Sequence, residues 1–128
     1  MWNAAPKRAK TLRRIVYSVA TAGVAAVAVD SSGNVIVTGA AHSGDYYATP
    51  SDYATIKYSS AGVPLWTNRY NGPGNSFDYA IAVEVDGSNN VIVTGYSTGS
   101  GSGRDYATIK YSSAGVPLWT NRYNGPVN

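Results

Sequence analysis

Cysteine is absent from the 128 residues, which excludes disulfides and thiolate chemistry and leaves the compartment open. Histidine and glutamate occur once each, at His42 and Glu84. The chain therefore offers no Ser-His-Asp constellation, no histidine metal cluster and no carboxylates paired at a recognisable spacing. No apolar run reaches about 18 residues, so no segment reads as a membrane-spanning helix. Charged residues make up 13% of the chain, against roughly 25% in an average soluble domain, which leaves an unusually neutral surface. Phenylalanine appears once while tyrosine appears 11 times. Amphipathic rings of that kind suit half-buried strands, where one end of the ring is packed and the other is wet.

The net charge of +3 hides two unlike parts. Lys7, Arg8, Lys10, Arg13 and Arg14 place five positive charges and no acid in the first 14 residues. The remainder sets five bases against seven acids, a net of −2, so basicity belongs to the N-terminal tail (residues 1–22) and not to the body. A basic segment followed by Ile15–Val29 has the outline of a secretory signal. Cleavage at Ala20-Thr21-Ala22 would leave an apolar core of about five residues, below the roughly 7–15 that such signals use. The next site, Ala26-Val27-Ala28, would cut through a repeated strand. The tail is better read as a frayed start, and the spacing of Leu12, Val16 and Val19 predicts a short helix in it. No aromatic platform or recognition motif accompanies the basic cluster, so no nucleic-acid partner is expected.

Two stretches return. DYATIKYSSAGVPLWTNRYNGP at Asp52–Pro73 recurs unchanged at Asp105–Pro126, and AVAVDSSGNVIVTG at Ala26–Gly39 is echoed by AVEVDGSNNVIVTG at Ala82–Gly95. Self-similarity on this scale marks a repeat architecture. Within each unit, Asp/Gly/Asn/Ser clusters separate β-branched and aromatic runs, the pattern of hairpins whose turns tolerate positive φ. The first unit (residues 23–75) reads as strands Val24–Val29, Val35–Gly39, Tyr53–Tyr58 and Pro64–Tyr70, with a loop over residues 40–51. The second (residues 76–128) reads as Tyr79–Val85, Val91–Tyr96, Tyr106–Tyr111 and Pro117–Tyr123, with a loop at Ser97–Arg104. Pro64 lacks an N–H and fits the first position of an outer strand. Corresponding residues lie 56 apart in the first hairpin (Asp30 to Asp86) and 53 apart in the second (Asp52 to Asp105), which puts a three-residue insertion between Gly39 and Asp52. Insertions confined to a loop are what a structural repeat predicts.

Four short antiparallel strands in about 50 residues describe one blade of a β-propeller, so the expected fold is all-β with two such blades, a partial propeller. The motif VDSSGNVIVTG followed by DYATIKYSSAGVPLW resembles the bacterial β-propeller repeat family known as SBBP, and its layout is similar to that of NHL-type blades. The resemblance covers about 105 residues and omits the tail. It implies a repeat protein of large secreted or cell-surface bacterial chains, with no shared catalytic residue. Closed propellers hold about four to eight blades, so two blades imply a fragment of a longer product, a poorly stable remnant, or assembly to an even total, about six from a trimer or eight from a tetramer. The unchanged 22-residue copy is a sign of recent duplication rather than of a site, since no packing requirement preserves outward-facing residues as well.

Strand alternation places Tyr53, Thr55 and Lys57 on one face and Ala54, Ile56 and Tyr58 on the other. Lys57 and Lys110 are expected to lay their stems between blades with their amines at the rim. Trp66 with Tyr70, and Trp119 with Tyr123, are expected to staple one blade to the next. The turns Asp30–Asn34 and Asp86–Asn90 resemble calcium loops only superficially. The twelfth positions hold Ala41 and Ser97 instead of a bidentate glutamate, so the aspartates are expected to cap their own turns. His42 reads as a solvated loop residue. Loops on a rigid scaffold commonly carry recognition, and the expected rim gathers His42, Asp45, Tyr46, Tyr47, Tyr96 and Arg104. The reading is a non-enzymatic structural or interaction module without cofactor or metal. Its partners are further blades and a protein or glycan ligand; the alternative is the non-catalytic propeller part of a larger extracellular enzyme or carbohydrate-binding protein.

Overall fold

A computed structural model describes residues 23–44 and 49–126. The basic tail, with the helix expected in it, and Asp45, Tyr46 and Tyr47 lie outside the described residues. The rest is all-β. Strands β1 (Gly23–Val29), β2 (Val35–His42), β3 (Ser51–Tyr58) and β4 (Pro64–Tyr70) form one antiparallel sheet in chain order. Strands β5 (Asp78–Val85), β6 (Val91–Thr98), β7 (Arg104–Tyr111) and β8 (Pro117–Tyr123) form a second of the same topology. The loop after β2 spans 43–50 and that after β6 spans 99–103, so the three-residue insertion sits where the repeat arithmetic places it.

The turns are built by their own side chains. Asp30 Oδ1 accepts from the amides of Ser32 and Asn34, both at 2.9 Å, and Asp86 Oδ1 does the same for Ser88 and Asn90. Ser59 and Ser112 serve the β3–β4 and β7–β8 turns, accepting from Val63 and Val116 at 3.1 Å. Bulges in β1 (Val24/Ala26) and β5 (Ala80/Ala82) lie opposite Gly39 and Gly95. A Cβ at either glycine would overlap the backbone of the bulged strand, so both positions require glycine. Four of the strand ends run further than expected: β2 and β3 pair through His42 and Ser51, and β6 and β7 through Thr98 and Arg104. His42 and Arg104 are thus strand residues, not loop residues, and Tyr96 is the strand residue expected.

The sheets stack face to face, and they do so with opposite faces of the repeat. In β3 the covered face is Tyr53, Thr55 and Lys57; in β7, of identical sequence over these positions, it is Asp105, Ala107, Ile109 and Tyr111. Ile36, Thr38 and Ala26 from the first sheet meet Val91, Val93 and Val83 from the second, giving a core of two interleaved layers. Tyr53, 1% exposed, crosses this layer and donates its hydroxyl proton to the Ala107 carbonyl at 3.1 Å. Among the described residues, every buried side-chain nitrogen and oxygen has a hydrogen-bond partner.

Because Ile109 is 2% exposed and its copy Ile56 is only half-buried, truncation should separate them. Ile109→Ala is expected to cost about 3 kcal/mol and Ile56→Ala about 1 kcal/mol in urea unfolding of dilute protein. Equal losses would contradict packing through opposite faces.

Candidate functional site

The first sheet covers one face of the second and leaves its other face open. Cross-strand pairing sets four tyrosines in a row over that open face, Tyr79 opposite Tyr96, Tyr96 opposite Tyr106 and Tyr106 opposite Tyr123. The Tyr79 and Tyr96 rings are 5.0 Å apart and the Tyr106 and Tyr123 rings 5.9 Å apart, both tilted. Arg104, two residues before Tyr106 on β7, lies 4.7 Å from the centre of the Tyr96 ring. A second row carries the Thr94–Thr108 hydroxyl pair at 2.9 Å, and a third carries Lys110 and Trp119. Tyr106 is 67% exposed, Tyr123 60% and Trp119 43%. An exposed aromatic surface rimmed by polar groups is a candidate interaction site.

The equivalent face of the first sheet is the covered one, and comparing the two shows what coverage does. Lys57 holds Asp30 at 2.9 Å with both side chains buried, and also donates to the Ser113 carbonyl of the second sheet at 3.1 Å. Its stem lies between the sheets as expected, but its amine is not at the rim: the Asp30 carboxylate keeps it inside. Lys110 holds Asp86 at the same 2.9 Å, half-exposed. Burial opposes ionisation of Asp30, yet hydrogen bonds from Lys57, Asn34 and Ser32 outweigh it and bring its pKa from the ordinary 3.8 down to about 2. The Lys110 hydrogen bond, with the Asn90 amide, holds Asp86 below its usual range too. Burial pushes the Tyr53 phenol above its ordinary range and Tyr111 up to about 12, so both stay protonated and Tyr53 stays a donor. Burial also raises Tyr96, with Arg104 opposing it.

The expected aromatic staple holds in one copy. Trp66 donates its indole proton to Ser113 O at 3.1 Å and packs 5.9 Å from Tyr111, and Tyr70 Oη accepts from Arg122 at 2.9 Å. Burial works against the Arg122 charge, but Asp105 at 2.7 Å and Tyr70 raise its pKa and keep it cationic. Among the described residues, Trp119 and Tyr123 meet no residue of the first sheet; they stand on the open face. Of the expected rim residues, the structure brings Tyr96 and Arg104 together and puts His42 at the equivalent strand end of the other sheet. His42 is half-buried with its Nδ1 2.7 Å from the Thr49 carbonyl, so it is not the solvated residue expected. The linker between sheets joins the same rim, where the Gly74 amide donates to Thr98 O at 3.1 Å. Tyr79, Tyr106 and Tyr123 were not in the expected set; the hairpin register was their signal, since it aligns one tyrosine from each strand.

Among the described residues no group of three or more metal-ligating side chains is placed to hold an ion, and no helix is long and apolar enough to cross a membrane. Neither protein-family models nor curated proteins yield a match to this chain.

The two Asp–Lys pairs are identical in length and differ in burial, which separates their energetics. Asp30→Asn strands a buried ammonium and is expected to cost about 3 kcal/mol in urea unfolding. Asp86→Asn is expected to leave the urea midpoint nearly unchanged, because water screens this half-exposed pair. The folded-state pKa of Asp30 lies below the unfolded one, so its contribution is whole above about pH 4 and is lost as the pH falls toward 2. The wild-type unfolding midpoint should fall across that window more steeply than that of Asp30→Asn.

Proposed function

We propose that the chain is a non-enzymatic structural or interaction module, a pair of propeller-type blades whose end faces receive further sheets of the same kind. The observation that carries this reading is the stacking of two copies of one sheet through opposite faces. Each copy holds both halves of a contact and each uses one half inside the chain. A solvent-exposed set of Tyr106, Trp119 and Tyr123, whose counterparts Tyr53, Trp66 and Tyr70 are engaged by the neighbouring sheet, is what an unfinished stack presents. The fitting setting is the one implied by the resemblance to SBBP repeats, a bacterial secreted or cell-surface assembly. Terminal faces there are closed by neighbouring blades.

One observation favours a second reading on the same face. The Tyr79–Tyr96–Tyr106–Tyr123 row with Arg104 over Tyr96 forms a flat, aromatic, hydrogen-bonding platform of the kind on which sugar rings stack. A glycan array showing signal that is lost in Tyr96→Ala would favour it; signal at background would remove it.

The module reading is tested by joining two full copies of the chain in tandem. Covering the inner open face of the first copy should raise the urea midpoint above that of the single chain. It should also shift tryptophan emission to the blue as one Trp119 becomes buried. A tandem chain with the midpoint and emission of the single chain would end this reading.

A further inference from the structure

We propose that the open face of the second sheet docks the outer face of the first sheet of a second copy of this chain, head to tail. This rests on the module reading and names its partner. The chain itself displays what covers such a face, because the first sheet carries the same face and the second sheet covers it.

The contact between the sheets is made by side chains that have doubles, and by carbonyls that have doubles too. Inside the chain, Tyr53 donates to Ala107 O, Lys57 and Trp66 both donate to Ser113 O, and Asn68 donates to Gly115 O at 2.8 Å. On the open face the same donors recur as Tyr106, Lys110, Trp119 and Asn121. The same acceptors recur on the outer face of the first sheet as the carbonyls of Ala54, Ser60 and Gly62. Arg122, which donates to the Tyr70 hydroxyl, has its double in Arg69, and Tyr70 has its double in Tyr123. Arg69 is already anchored on Asp52 and Ala41 O, as Arg122 is on Asp105 and Ser97 O. The donors of β3 and β4 and the acceptors of β7 and the β7–β8 turn thus each have a double outside the internal contact.

Shape agrees with polarity. Trp66 lies flat on Gly115, where a Cβ would come within 2.7 Å of the indole ring. Gly62 has nearly the same backbone, φ +82 against +84, and open space where Gly115 holds the tryptophan. Trp119 of one copy fits over Gly62 of the next. The accepting face is also set before a partner arrives. Its Lys110–Asp86 and Thr94–Thr108 pairs have the 2.9 Å lengths of Lys57–Asp30 and Thr38–Thr55 on the covered face. Little side-chain ordering remains to be done on docking.

The match ends at the inner edge. Tyr79 and Tyr96 stand where the first sheet has Gly23 and Ala40. Gly33 and Gly87 replace the partners of the Ser31–Asn89 hydrogen bonds that tie the two sheets at their turns. The second copy therefore seats on β7 and β8 and tilts away from β5, with the two tyrosines as the wedge.

The test is light scattering of the full chain with two surface variants. Wild-type protein should show a weight-average mass that rises with concentration above 13.4 kDa. Tyr106→Arg blocks the accepting face and Ala54→Arg the docking face, and each variant should remain a monomer with an unchanged circular dichroism spectrum. Mixed in equal amounts they should form a complex of twice the chain mass and nothing larger, because only one complementary pair of faces survives. Ser60→Arg, at an exposed turn position, repeats the Ala54→Arg arm. A wild type that is monomeric at every concentration would overturn the proposal, as would single variants that assemble like wild type or a mixture that stays monomeric. Those outcomes leave the tandem-chain result standing, since a tether supplies a neighbour that free copies would not; failure of both would sink the module reading as well.

Discussion

Two sheets of one repeat pack through opposite faces, and this constraint governs the rest of the structure. Each of the two sheets buries one face on the other, through Tyr53, Ile36 and Thr55 on one side and Ala107, Ile109 and Val93 on the other. The hydrophobic contribution of this layer scales with the area removed from water. The polar groups caught between them are not left over from folding. Lys57, Trp66 and Asn68 aim at carbonyls of the β7–β8 turn and fix the sheets in one register, where apolar layers alone would tolerate sliding.

Much of the strand layout was legible because turn chemistry and alternation agreed with each other. Asp30-Ser-Ser-Gly-Asn34 and Ser59-Ser-Ala-Gly62 mark tight turns, and the β-branched runs between them had one reading. The strand ends were harder. Ala40-Ala-His42 and Ser97-Thr98 carry no β signature of their own, and they are strands because Ser51–Tyr53 and Arg104–Tyr106 lie alongside to pair with them. The buried place of the Lys57 amine was also missed. Its cue was the recurrence of both Asp and Lys at matching positions of the two units, a pairing that the isolated turn does not reveal.

The candidate face was half legible. Tyr96 and Arg104 were expected at a rim and do meet, but Tyr106 and Tyr123 were hidden by their own copies. DYATIKY reads the same in β3 and β7, so nothing in the letters tells which copy turns its tyrosine inward. Environment decides it, and environment is tertiary. His42 shows the opposite error: a lone histidine beside glycine and serine looked solvated, yet strand pairing carries it to within hydrogen-bond reach of the Thr49 carbonyl.

Stacking through unlike faces gives the pair a direction, with a Tyr/Trp surface at one end and the Ala54/Ile56 surface at the other. A directional object cannot finish itself by mirror-like pairing of two ends, as a twofold dimer does. Every unit added restores the same two bare termini. In the proposed head-to-tail stack, growth would stop when the succession curves back on its own beginning, or when an unrelated lid sits on one terminus.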